Sequence, residues 1–437
     1  MRRQLIFALL PVLASCGCGT ESSDQYIEKA RQHLEAYSYH AATIELKNAL
    51  RIDTDSAEAR WLLGKLYLDT GEILLADKEL RQAREMGWPE ADVRPALARA
   101  LLAQGKYEEV LALEYDDLPA PAAADLLASR ALASMARGES KRAASLIENA
   151  LQRAPESVEA KLVEARLFAS QGDSTGALIV LEEVLEAAPD KADAWSLKAE
   201  LLLQRQELAE ARDAFTEAIK HAPRSYNARF KRGLVNLQLG EVESARADAL
   251  SLLKDSAQSP AGNYIQGLIE FQARNYAEAA TALSLAEPAA DQFPRVLFSL
   301  GSAHFIQGNL DQADNAATRF LNFAPDSVDG RKLLATIRLQ QRQPGEAREL
   351  LQPVLDAQPN NVGTLNLMAN ALLLDDRADE GLDLLARIAE LQPDSPEAQV
   401  RLALLTPGEA YNAGRHLEAA LAIDPEFQQA EILLVMN

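Results

Sequence analysis

The chain has 437 residues, a length that would ordinarily hold two or three globular domains, and 48% of them are apolar, which excludes a disordered polypeptide. Aromatic residues make up only 5%, and the abundance of alanine and leucine favours helix over strand. A formal charge of −21 excludes binding to nucleic acid, which needs a clustered basic surface, and leaves no electrostatic attraction to an anionic membrane. In chain order, the first element is a short leader. Arg2 and Arg3 precede an apolar run from Leu5 to Leu10, far shorter than the roughly 20 residues a bilayer span needs. A basic start, a short apolar stretch and small residues after it read as a secretory signal over residues 1–15.

The tetrad Leu13-Ala14-Ser15-Cys16 that closes the leader resembles a bacterial lipobox, in which Cys16 would be lipidated and become the mature N-terminus. Lipid chains contribute about 0.8 kcal/mol per buried methylene, enough in combination to hold an acidic protein on a membrane. Residues 16–22 are then a tether. Cys18 is the only other cysteine, so the body of the chain can hold no disulfide and no thiolate metal site.

From residue 23 onward a single period governs the sequence. Pro155, Pro189 and Pro223 are 34 residues apart, as are Pro325, Pro359 and Pro393. Small residues keep the same interval in two further series, Ala165, Ala199, Gly233, Gly267, Gly301, Ala335 and Ala369, and Ala177, Ala211, Ala245, Ala279, Ala313, Ala347 and Gly381. Glycines at 71, 105, 138, 172, 240 and 308 mark the turn inside the unit. A 34-residue helix-turn-helix unit with these marks resembles the tetratricopeptide repeat, in which small residues let helices approach and large neighbours insert beside them. The expected architecture is an all-α, right-handed superhelical solenoid of about twelve such repeats over residues 23–427. The repeats start near 23, 57, 91, 124, 158, 192, 226, 260, 294, 328, 362 and 396, and an incomplete repeat covers 428–437. The third unit is irregular: EYDDLPAPAA (114–123) replaces a clean second helix and predicts a longer, partly extended loop. The twelfth is two residues short around Thr406-Pro407-Gly408, and EILLVMN (431–437) begins a further first helix with an apolar face.

Two stretches, ELKNALRIDTDSAEARWLLGKLYLDTGE (45–72) and KELRQAREMG (78–87) followed by LARALLAQGKYEEVL, carry a closer likeness. With the lipobox, they resemble the opening of the tetratricopeptide-repeat lipoproteins of the PEP-CTERM/exosortase system. That resemblance implies a scaffold accessory to protein sorting and exopolysaccharide export in Gram-negative bacteria, with no established chemistry. Gly17, in place of the acidic residue that commonly retains lipoproteins in the inner membrane, points to the outer membrane, periplasmic side.

Catalytic signatures are missing from the sequence. The five histidines fall in different parts of the repeats without a convincing metal spacing, and neither a phosphate-cradling glycine loop nor a nucleophile elbow occurs. No enzyme activity, cofactor, metal or small-molecule substrate is expected. Solenoids bind proteins along the surface formed by their first helices. On that surface the second to sixth repeats offer polar residues, among them Glu58, Lys65, Arg99, Glu159, Arg166, Asp193 and Glu200. The seventh to ninth offer Phe230, Tyr264, Leu268, Phe271, Phe298 and Phe305, with Leu234 and Leu237, and these are the expected anchors for a protein partner. The alternative is a docking arm of a longer polypeptide, with a glycosyltransferase-like or outer-membrane barrel domain beyond residue 437.

Overall fold

A computed structural model describes residues 22–405 and 410–436. Cys16, the leader 1–15 and the shortened stretch 406–408 lie outside the described residues. Among the described residues every regular element is helical, and the chain divides into two compact units, Met1–Arg205 and Gln206–Asn437. The first unit holds α1 (Ser23–Glu35), α2 (Tyr39–Ile52), α3 (Ala57–Thr70), α4 (Ile73–Glu85), α5 (Glu90–Ala103), α6 (Tyr107–Ala112), α7 (Ala120–Ala136), α8 (Ser140–Arg153), α9 (Val158–Ser170), α10 (Ser174–Ala187) and α11 (Ala192–Gln204). The second holds α12 (Leu208–His221), α13 (Tyr226–Gln238), α14 (Val242–Asp255), α15 (Pro260–Gln272), α16 (Tyr276–Ala286), α17 (Arg295–Ile306), α18 (Leu310–Phe323), α19 (Val328–Gln340) and α20 (Pro344–Ala357). It continues with α21 (Val362–Leu374), α22 (Ala378–Leu391), α23 (Pro396–Leu405), α24 (Ala410–Ile423) and α25 (Gln428–Met436).

Within each unit the helices form antiparallel pairs, each packed on the next. First helices start at polar caps: the hydroxyls of Ser56, Ser157, Ser225, Ser259 and Ser327 each accept from the backbone N–H three residues on. They end at a left-handed residue that reverses the chain into the second helix. Gly71 (φ 80°), Gly172 (φ 82°) and Gly308 (φ 78°) supply it without strain, whereas Tyr37, Gln206, Arg274, Arg342 and Asp376 adopt the same conformation at the same place in their repeats. Pro155, Pro189 and Pro223 each follow a helix cap and stop the second helix.

The core lies between and beside the pairs, and the small-residue series locate it. Ala98, Ala131, Ala165, Ala199, Ala335 and Ala369 on first helices are fully buried, as are Ala177, Ala211, Ala245, Ala279, Ala313 and Ala347 on second helices. A Cβ placed on Gly64 would sit 2.8 Å from Leu80 Cγ, and one on Gly267 would sit 2.6 Å from Leu283 Cγ, in the partner helix of the same pair. These small residues therefore set helix separation and carry no chemistry.

The third repeat departs from the pattern. Helix α6 is only six residues long, and residues 113–119 form a loop before α7. Arg94, almost wholly buried, holds that loop: it donates to Asp117 Oδ1 and Oδ2 at 2.5 and 2.8 Å, to the Glu114 carbonyl at 2.9 Å and to Glu90 at 2.7 Å. The guanidinium groups of Arg130 and Arg153 lie 4.8 and 5.2 Å from the Tyr115 ring.

Candidate partner-binding surfaces

In the first unit the first helices α3, α5, α7, α9 and α11 line one open groove of about 550 Å³. Its floor is made of short or flat side chains: Pro95 and Ala96 on α5, Ala128 and Ser129 on α7, Leu162 and Val163 on α9. The register explains the depth. The fifth residue of each repeat lies on the first-helix surface, and in the third to fifth repeats it is Pro95, Ala128 and Leu162, with Trp61 at that place in the second repeat at the groove's end. At the same place the second unit carries Phe230, Tyr264 and Phe298. Small side chains leave space that rings would fill.

Two rows of charge border the floor. Near the N-terminal ends of the first helices stand Asp92, Asp125, Glu159 and Asp193; seven residues further along in the repeat stand Lys65 (on α3), Arg99 and Arg166, with Leu132 at that place on α7, Glu200 on α11 and Asp69 lining the groove four residues beyond Lys65. Arg99, Arg166, Asp92 and Asp193 form no ion pair among the described residues, while Glu159 is held by Lys191. Burial pushes the Asp125 carboxyl above the usual carboxylate range, and the neighbouring Glu159 charge adds to it; a hydrogen bond from Ser157 Oγ at 3.3 Å works against both. At one end, Trp61 stacks on Trp88 with ring centroids 5.0 Å apart, and Lys65 Nζ lies 4.9 Å over the Trp61 ring.

In the second unit Phe230, Tyr264, Leu268, Phe271 and Phe298 gather in one core cluster, and Phe305 packs on another. Tyr264 is part of the core, 5% exposed, and its ring stacks on Phe293 at 5.6 Å with an interplanar angle of 11°. Burial raises its hydroxyl pKa, with a hydrogen bond from Ser299 and the nearby Arg295 charge opposing. Phe230 packs 5.3 Å from Phe293, and Phe298 packs 5.5 Å from Phe320 beneath the Arg295 guanidinium. Phe271 meets Tyr276 edge to face at 5.3 Å, and Phe305 packs on the cluster containing Ala313, Ala317, Leu334 and Ile337. Phe230, Leu268, Phe271, Phe298 and Phe305 are half-buried, so each keeps part of its surface in solvent.

The first-unit groove unites Lys65, Arg99, Glu159, Arg166 and Asp193, which sequence reading placed on the first-helix surface without their order. Asp92, Asp125, Trp61 and Pro95 were missed there, although an acid at the second position of five consecutive repeats (Glu58, Asp92, Asp125, Glu159, Asp193) was a legible signal. Phe293 was missed because it lies outside the repeat register, in the turn before α17. Among the described residues no helix is long and apolar enough to cross a membrane.

Two tetratricopeptide-repeat family models match the chain, one over residues 134–201 and 338–406 and the other over 196–262 and 266–325, together more than half of its length. The chain belongs to the tetratricopeptide-repeat proteins, a family of protein-binding scaffolds whose architecture is typically non-catalytic. No curated protein matches it. Similar solved structures include the APC/C hetero-tetramer Cut9–Hcn1, at 15% identity over 95% of this chain and 96% of that one, with a TM-score of 0.38. The Pseudomonas aeruginosa pilF protein is similar at 18% identity over 53% of this chain and 99% of its own, with a TM-score of 0.43. PilW, a type IV pilus biogenesis factor, is similar at 20% identity over 48% of this chain and 98% of its own, with a TM-score of 0.42. These likenesses carry no argument about partners.

Proposed function

We propose that this chain is a lipid-anchored scaffold that receives protein segments across its first helices, tethered through Cys16 to the periplasmic face of the outer membrane. The observation that carries the binding part is the open groove lined by the first helices of five consecutive repeats. The leader with its lipobox supports the anchoring, and the resemblance over residues 45–87 supports an accessory role in PEP-CTERM protein sorting and exopolysaccharide export. In the second unit, Phe230, Leu268, Phe271, Phe298 and Phe305 offer a second, apolar contact surface, with Tyr264 supporting it from the core.

Two substitutions test the reading in cells. Cys16→Ser should end labelling by radioactive palmitate and move the chain from the membrane to the soluble envelope fraction; unchanged membrane attachment would remove the anchor from the proposal. Pro95→Trp should fill the groove and release a protein that co-purifies with the wild-type chain, at unchanged helical circular dichroism. Retention of that protein, together with its loss in the Phe298→Ala/Phe305→Ala double variant at unaltered melting, would move the contact to the second unit.

A further inference from the structure

Resting on the reading of the first-unit groove as the receiving surface, we infer that its occupant is an α-helix with one basic flank and one acidic flank, lying across the first helices. The floor and the two charged rows define that shape together. Asp92 and Arg99 are seven residues apart on α5, as are Glu159 and Arg166 on α9, which places the rows about 10 Å apart along the helix axes. That separation matches the diameter of an α-helix with its side chains, about 10–12 Å. Ala96, Ala128 and Ser129 leave the floor shallow enough in side chain for an apolar stripe of the ligand to settle between the rows.

Charge complementarity fixes the rest. Asp92 and Asp193 form no ion pair in the groove, and the ligand's lysines or arginines supply one; Arg166, and Arg99 beyond what Asp69 and Asp125 already offer it, are answered by its acidic flank. A segment of a single sign would satisfy one row and oppose the other. The groove crosses five helices at roughly 8–10 Å each, a span of about 30–40 Å, so the segment is about 20–25 residues long. The arrangement belongs to the first unit: the corresponding second positions of the seventh to ninth repeats are Asn227, Ala261 and Arg295, and their ninth positions are Leu234, Leu268 and Ser302.

The test uses the full chain and synthetic 22-residue peptides read by fluorescence anisotropy. One peptide carries lysines on one flank and glutamates on the other of an alanine–leucine stripe. The second has the same composition with the charges scrambled around the helix, the third bears lysines only, and the fourth is the first interrupted by a central proline. The two-flanked peptide should bind at least ten-fold tighter than the other three. Arg99→Glu/Arg166→Glu should weaken it at least ten-fold. Equal binding of all four peptides, preference for the lysine-only or proline-interrupted peptide, or no binding of the two-flanked one would overturn the inference. The effect of Pro95→Trp on a co-purifying protein decides the scaffold reading separately.

Discussion

At the scale of single residues, the turn within each repeat sets the clearest cost. Arg342 holds φ at 59° in an exposed turn where Gly308 stands in the preceding repeat. The left-handed conformation costs a non-glycine residue roughly 1–2 kcal/mol, while glycine's extra freedom in the unfolded chain takes back roughly 0.5–1 kcal/mol. Arg342→Gly should therefore stabilise the second unit by about 0.5–1 kcal/mol in urea titration; a loss of stability would show that the turn is not strained. Asp77 illustrates the opposite balance. Burial works against its charge, but hydrogen bonds from Gln104 at 3.1 Å, Arg81 at 2.6 Å and Lys106 at 3.2 Å outweigh it and hold its pKa below the usual carboxylate range. A lowered folded-state value stabilises the protein fully above the unfolded value of about 3.9, and the contribution disappears as pH falls through the folded one. Asp77→Asn should cost about 1–2 kcal/mol at pH 7, and the difference from wild type should shrink below about pH 4. A deficit that persists unchanged at pH 3 would mean that the hydrogen bonds do not depend on the charge.

At the scale of the helix pair, the recurring small residue is the controlling device. Gly267 on α15 faces Leu283 on α16 so closely that even a methyl group would have to displace it. Gly267→Leu should separate the pair and cost about 2–3 kcal/mol, visible as a lower melting temperature. This part of the architecture was open to sequence reading because a 34-residue period imposes the same contact on every pair, and alanine or glycine at 165, 199, 233, 267 and 301 records it directly. The binding surface was less open to it. Aromatic residues at 230, 264 and 298 read as an exposed patch, but Phe230 and Tyr264 pack on Phe293, which the period does not place. The groove was obscured for the converse reason: Pro95, Ala128 and Ser129 attract no notice singly, and a cavity arises from what two neighbouring helices lack together. The loop of the third repeat shows an intermediate case. EYDDLPAP announced an interruption, while its clasp by Arg94 depends on a helix twenty residues earlier.

At the scale of the whole molecule, stability is a sum of neighbour contacts rather than the property of one core, since each pair in a unit packs on the pairs beside it. The Gly267→Leu variant should therefore lose amide-exchange protection in α13 to α18 and keep it in α3 to α9. Uniform loss along the chain would show that the two units unfold as one. Packing and surface charge are separable in the same way, with small residues of the register holding the pairs while, in the first unit, acids stand at the second position of the second to sixth repeats and bases at the ninth position of the second, third and fifth. The charged rows repeat with the unit itself. Duplicating 34 residues would lengthen the floor and both rows by one step without disturbing either pattern, and losing 34 residues would shorten them equally. On the proposed reading of the groove, the length of segment received would change in whole-repeat increments by gene duplication, leaving point mutation to adjust only the sign and spacing of charge within a step.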